Sequence, residues 1–267
     1  MKKQLKALDP DTVRERVRAR YGEIAEHDKG CCGGTNSGCC GDTYSNKLGY
    51  SESELSSVPE GSNLGLGCGN PTAIASIRPG ETVLDLGSGA GFDCFLAARQ
   101  LNGTGRIIGV DMTPAMITKA RANARKSGHQ NVEFRLGEIE ALPVADHFVD
   151  LIISNCVINL SPDKPRVFRE AYRVLKPNGR LAIADVVATK RVPANAQGAL
   201  DTICACIGGA ALVDELKAML EDAGFVAVDI ILREETRQLI NQWTADDKAG
   251  DYVVSAVITG RKETYTP

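Results

Sequence analysis

From residue 81 onward the chain alternates short β-branched runs with helix-patterned stretches, the signature of parallel strands joined by crossover helices. The expected strands are Thr82 to Leu86, Arg106 to Val110, Val132 to Arg135, Val149 to Ile153 and Arg180 to Ala184. Between them the pattern predicts helices at Phe92 to Leu101, Pro114 to Ser127 and Lys164 to Leu175. The middle helix carries both boundary signals, Thr113 as N-cap ahead of Pro114 and Gly128 as the stop. Past Pro193 a helical stretch from about Gln197 to Ala223 is expected, then β-like runs at Val226 to Leu232 and Tyr252 to Thr259 that could complete the sheet as antiparallel edge strands. The first 70 or so residues differ: an opening helix, Asp11 to Glu26, is followed by GCCGGTNSGCCGD, which has loop composition and no periodicity.

Composition excludes several classes. At 267 residues with 43% hydrophobic and 24% charged residues, the chain can bury a core and is expected to be soluble. Lys and Arg number 31 against 34 Asp and Glu, and aromatics are 5%, so neither phosphate neutralisation nor base stacking is provided for and no nucleic-acid partner is expected. The start MKKQLKALDPD turns polar before any signal-length apolar run, and the longest uncharged apolar stretch, Ile203 to Val213, is too short to span hydrocarbon. No membrane association is expected, and the location read from this is cytoplasmic. In that reducing setting the nine cysteines are thiols for packing, ligation or redox work rather than permanent disulfides.

The run VLDLGSGAGFD, Val83 to Asp93, sets Asp85 at a strand end with Gly87, Gly89 and Gly91 ahead of a helix. Glycines let the backbone approach a ligand closely, and the helix N-terminus offers free amides. The spacing is neither GxGxxG nor a P-loop, which lowers the dinucleotide and ATP readings. Asp111 ends the next strand in IIGVDM, where a carboxylate can accept from both hydroxyls of a ribose. Together these point to a nucleoside-bearing ligand.

DxGxGxG, then VDM, then GEIE after the third strand, then VLKPNGRLAIAD, taken in this order over about residues 72 to 187, resembles the class I S-adenosylmethionine-dependent methyltransferases. The resemblance implies a Rossmann-like α/β fold: a mostly parallel sheet with helices on both faces, plus the Cys-rich N-terminal segment and a C-terminal substrate-binding region. It implies S-adenosylmethionine as cofactor, with Asp85, Gly87 and Gly89 on the methionine moiety, Asp111 on the ribose, Met112 as an apolar lid, and Glu138 and Ile139 beside the adenine. Asn155 is added to these contacts at the mouth of the site, although backbone hydrogen bonding accounts for Asn155 and Asn159 equally well. The domains expected are 1–71, an N-terminal helix and Cys-rich segment; 72–190, the S-adenosylmethionine-binding domain; and 191–267, a substrate region that completes the sheet.

Methyl transfer from a sulfonium releases a neutral thioether and needs alignment more than acid catalysis, so the acceptor decides identity. Cys156 follows the fourth strand at the carboxyl edge, where open α/β sheets bind ligands. Cys68 in NLGLGCGNP and Cys206 in CACIGGA lie in Gly-rich turns. These three contexts are similar to arsenite methyltransferases. The similarity implies Cys68, Cys156 and Cys206 as thiolate ligands of As(III), a soft acceptor that sulfur selects, and an N-terminal cysteine in redox turnover. Cys31, Cys32, Cys39 and Cys40 are all candidates for that partner. The electrons would come from a dithiol reductant such as thioredoxin or a small thiol. No permanent metal is expected, arsenic being substrate. Longer members of the family have an additional C-terminal domain for which no counterpart is expected here.

Cys94, inside the helix after the glycine loop, is read as packing, and so is Cys204, which at helical pitch points roughly 200° from Cys206. The histidines His27, His129 and His147 fall in polar segments and are read as solvated. Two other readings stay open on sequence: a methyltransferase of a small organic acceptor with the cysteines as packing, and a thiol-rich metal-binding protein, against which stands the lack of any CxxC pair.

Overall fold

The computed structural model describes residues 9–27, 42–193, 206–243 and 248–264. The strands are β1 (Thr82–Leu86), β2 (Arg106–Asp111), β3 (Val132–Leu136), β4 (Val149–Asn155), β5 (Leu175–Ala188), β6 (Phe225–Arg233) and β7 (Val253–Lys262), forming one sheet in the order β3-β2-β1-β4-β5-β7-β6. The helices are α1 (Pro10–His27), α2 (Asp42–Lys47), α3 (Glu52–Leu55), α4 (Pro71–Ile74), α5 (Phe92–Gln100), α6 (Pro114–Ser127), α7 (Lys164–Val174), α8 (Val213–Asp222) and α9 (Arg237–Asn241). Strands β3 to β5 through β2, β1 and β4 are all parallel, so every one of them delivers its C-terminal end to the same edge. β7 inserts antiparallel between β5 and β6, and β6, antiparallel to β7, closes the edge.

Period-2 alternation along these strands separates two apolar layers. Leu84, Leu86, Ile108, Val110 and Ile152 face Val167, Phe168 and Ala171 of α7 and Leu216 and Leu220 of α8. Val83, Ile107, Leu151 and Ile153 face Phe95 and Ala98 of α5 and Ile117 and Ala120 of α6. The expected layers on both sheet faces are therefore present, and no helix of the described residues is long and apolar enough to cross a membrane.

Three local expectations change. β5 begins at Leu175 rather than Arg180, because the Lys176-Pro177-Asn178-Gly179 stretch is absorbed as an irregularity between the pairs Val149↔Leu175 and Leu151↔Arg180. The helix expected from Gln197 begins only at Val213 within the described residues. Cys206 to Ala210 form turns instead, and a Cβ on Gly209 would collide with the Asn159 carbonyl. Thr113 occupies the N-cap position of α6 without a side-chain cap bond; its N–H donates instead to Asp111 at 2.8 Å, while Gly128 closes the helix in the left-handed region at φ 70° as expected.

Phe168, buried on α7 in the layer that also holds Ile152 of β4 and Leu181 of β5, is the test of this layering. Phe168→Ala is expected to lower unfolding free energy by about 3–5 kcal/mol, read from the urea midpoint.

Candidate active site

A cavity of about 660 Å³ opens at the edge where β1, β2 and β4 end. Its floor is the glycine turn after β1, and its roof includes Val17, Tyr21 and Ile24 of α1. The turn needs its glycines for different reasons. Gly87 sits at φ 69° and a Cβ there would approach Val157 Cγ2 to 2.5 Å, so the turn can lie directly on the loop that carries Cys156. Gly89, at φ 51°, has nothing within 4 Å of its Cβ direction and leaves the backbone bare toward the cavity.

Acids crowd this end. Asp85 is 3% exposed, and burial, reinforced by the charges of Asp93 and Asp111, holds its carboxyl well above the usual range, although the Cys94 thiol donates to it at 3.2 Å. Asp93 is pushed to about 6 by burial, against the pull of hydrogen bonds from Tyr50 and Asn155. Asp111 is raised by burial while accepting from the N–H groups of Gly89 at 3.0 Å and Thr113 at 2.8 Å. Acids raised by desolvation, and Asp85 by its acidic neighbours as well, are relieved by a ligand that brings positive charge. Ser88 Oγ, buried at the same turn with no hydrogen-bond partner among the described residues, supplies an unsatisfied polar group on the cavity wall. The residues present therefore fit a cationic, hydroxyl-bearing nucleoside ligand such as S-adenosylmethionine.

At the other end lie the sulfurs. Cys68 and Cys156, expected as thiols, are instead paired as a disulfide across a sequence separation of 88, with Cα atoms 5.7 Å apart, a bond that a dithiol must open before either sulfur can serve as a thiolate. Cys206 is a buried thiol whose Sγ donates to the Cys156 carbonyl at 3.2 Å. Cys156 and Cys206 both hold left-handed backbone, φ 55° and 63°, at a cost of about 1–2 kcal/mol each for non-glycine residues. Conformations of this kind, kept by surrounding structure, accumulate at functional positions. Met112, Leu160, Ile207 and Trp243 belong to the same apolar cluster as the three cysteines, so the sulfurs stand in apolar surroundings. Sγ of Cys68, Sγ of Cys156 and a carboxylate oxygen of Asp185 lie within 4.8 Å of one another. Asp185 is not a spare ligand: it accepts from Ile158 N at 2.9 Å, Asn159 Nδ2 at 2.9 Å and Val186 N at 2.7 Å, which shapes the turn after Cys156.

The methyltransferase domain family matches residues 77–224. An arsenite methyltransferase of Halobacterium salinarum is 53% identical over 95% of this chain and 68% of its own length. The chain belongs to the arsenite methyltransferase family. The mouse arsenite methyltransferase is 37% identical over 69% of the chain and 53% of its own length. A solved arsenic(III) S-adenosylmethionine methyltransferase from Chlamydomonas reinhardtii superposes with a TM-score of 0.61 at 31% identity, covering 83% of this chain and 74% of that one. The chain thus spans about two thirds of the archaeal relative and about half of the mouse protein.

Within this arsenite methyltransferase framework, Asp85, Gly87, Gly89, Asp111, Met112 and Ile139 all lie on the cavity wall. Glu138, expected beside an adenine, has its carboxylate paired with Arg14 at 3.6 Å and Arg18 at 3.3 Å, because α1 brings two guanidinium groups over it. Cys31, Cys32, Cys39, Cys40 and Cys204 lie outside the described residues. Cys94 is buried packing beside Asp85, as expected. His129 packs against Phe95, and His147 is tied to Lys262 Nζ at 3.1 Å rather than simply solvated. Sequence reasoning passed over Tyr50, Asp93 and Asp185. An acid in the first turn of the helix that follows the glycine loop was a usable signal for Asp93; Tyr50 had none.

The carboxyl of Asp185 is raised to about 6, chiefly by burial, with backbone hydrogen bonds and Lys164 pulling the other way. The folded state therefore holds this proton more tightly than the unfolded chain, and the stability it lends is full below about pH 4 and lost as pH rises through about 6. Urea midpoints across this window are expected to fall in the wild type relative to Asp185→Asn; parallel curves would remove the assignment.

Proposed function

We propose that this chain methylates As(III) held by the thiolates of Cys68, Cys156 and Cys206, as the names of its relatives suggest. The observation that carries the reading is the meeting of Cys68 and Cys156 sulfurs, with Cys206 beside the Cys156 carbonyl, in the cavity whose other end is the acid-lined glycine turn. S-Adenosylmethionine, held by Asp85, Gly87, Gly89, Asp111 and Met112 with Ile139 on the adenine side, supplies a methyl carbon on positively charged sulfur. The buried acids favour that charge, and Asp111 orients the ribose through its carboxylate.

Three sulfur ligands leave the arsenic lone pair free as nucleophile. Bond formation from that lone pair raises arsenic by two electrons. A further thiolate then attacks one arsenic-bound sulfur, making a disulfide while the As–S bonding pair returns to arsenic. The product is methylated As(III) on two thiolates. One of Cys31, Cys32, Cys39 and Cys40 is the proposed fourth thiolate, and an external dithiol, thioredoxin or a small thiol, reopens the disulfide by exchange. This cycle needs a reducing compartment, which supports the cytoplasm as its location. In the same reading 1–71 supplies the N-terminal helix and the Cys-rich redox segment, 72–190 the donor domain and 191–267 the remaining ligand. An organic acceptor gains no support from a wall that sets three cysteines together.

Incubating the full chain with S-adenosylmethionine, arsenite and a dithiol, then separating methylated arsenicals with elemental detection, tests this directly; no methylated product under any of several reductants would end the proposal. Cys156→Ser is expected to abolish turnover, because a hydroxyl cannot replace a soft thiolate on arsenic. Asp111→Ala is expected to raise KM for S-adenosylmethionine about tenfold or more, the size of a lost charge-assisted hydrogen bond, with the arsenite KM little changed.

A further inference from the structure

Asn155 ends β4 one residue before Cys156, and its amide is turned on the loop that carries the other paired sulfur. Its Oδ1 accepts the Cys68 N–H at 2.9 Å, and its Nδ2 donates to the Gly69 carbonyl at 2.8 Å. A backbone N–H only donates and a backbone carbonyl only accepts, so these two contacts fix which way the amide faces. Nδ2 also lies 2.9 Å from Tyr50 Oη and 3.1 Å from Asp93 Oδ2, while the Tyr50 hydroxyl donates to Asp93 Oδ1 at 2.7 Å. Tyr50 is itself held edge-on against Phe92, 4.8 Å between ring centroids.

The loop is shaped for this closure. A Cβ at Gly67 would come within 3.0–3.2 Å of the Asn155 amide atoms, and one at Gly69 would meet the Ala184 Cβ at 2.9 Å. Both neighbours of Cys68 are thus bare so that the loop can press onto Asn155 and β5. The result is a continuous polar bridge, buried at Tyr50 and Asp93 and part-buried at Asn155, from the first turn of α5, which follows the glycine loop, to the Cys68 backbone.

We propose that Asn155, oriented by Tyr50 and Asp93, is a positioning residue that fixes Cys68 opposite Cys156, rather than a contact for the cofactor. The proposal rests on reading Cys68 as an arsenic ligand. The bridge touches no reacting atom; it acts by holding one sulfur where its partner is and by tying that sulfur to the helix at the donor end.

The test uses the full chain with its cysteines reduced. Alkylation by iodoacetamide is followed cysteine by cysteine through peptide mass spectrometry, with Cys206 as internal reference. Tyr50→Phe, which removes one oxygen and keeps the ring, is expected to speed Cys68 alkylation about fivefold, the size of one buried hydrogen bond, with Cys206 unchanged. Asn155→Ala is expected to speed it further. In turnover, both variants are expected to raise KM for arsenite and leave KM for S-adenosylmethionine unaltered. Unchanged Cys68 reactivity in Tyr50→Phe, or equal acceleration of Cys68 and Cys206, overturns the proposal. A rise in KM for S-adenosylmethionine with constant arsenite KM overturns it too, making Asn155 a cofactor contact. Because alkylation needs no arsenic, the bridge is decided even in a chain that yields no methylated arsenical, an outcome that counts only against the arsenite reading.

Discussion

The register of β1 against β4 governs the whole site. Leu86 lies level with Ser154, and the Ser154 hydroxyl donates to the Leu86 carbonyl at 3.3 Å across the pair. The turn that begins at Gly87 and the loop that begins at Cys156 therefore leave the sheet side by side. A slip of one residue would reverse the faces of every β4 side chain and part the two loops. The absence of a side chain at Gly87 completes the approach, since Val157 fills the space a Cβ would take. Donor and acceptor ends are adjacent because two parallel strands end together, the reason open α/β sheets bind ligands where neighbouring connections diverge.

The two ends of the cavity differ in physical character. Three acids are withdrawn from water at one end, with carboxyls displaced upward by burial and, for Asp85, by the charges of Asp93 and Asp111 as well. That is unfavourable to an empty protein and favourable to a cationic guest. At the other end the sulfurs share an apolar cluster with Met112, Leu160, Ile207 and Trp243, where a neutral, sulfur-bound metalloid is better accommodated than a hydrated anion. The division of labour is electrostatic at the donor end and covalent at the acceptor end. α1 spans both, with Tyr21 packed near the thiols and Arg14 and Arg18 paired to Glu138.

Most of the fold could be read from periodicity, and the places where reading stopped have local causes. Strands β1 to β4 are apolar runs bounded by turn residues, and each boundary falls within two residues of expectation. The start of β5 could not be seen because Pro177, Asn178 and Gly179 carry turn chemistry, yet the sheet continues around them as an irregularity. The stretch before α8 reads as helix by composition, but a close contact between Gly209 and the Asn159 carbonyl is tertiary and leaves no periodic trace. At the site, Asp85 and Asp111 announce themselves by standing at strand ends. The ion pairs of Glu138 could not be seen because its partner arginines come from α1, 120 residues away in the case of Arg18. The Tyr50–Asp93–Asn155 bridge was invisible for the same reason: its members are separated by 43 and 62 residues.

The distinction between Cys68 and Cys94 shows what such distant contacts accomplish. Both are almost fully buried, and burial alone would make either an inert packing residue. Cys94 lies within α5 with its thiol donating to Asp85, where burial and the neighbouring acid push the proton's release upward and suppress thiolate. Cys68 lies instead in a loop whose backbone is pinned by an asparagine side chain, between two glycines, with its sulfur against that of Cys156. The chemistry available to each cysteine is decided less by its own exposure than by what fixes its backbone and which charge it faces.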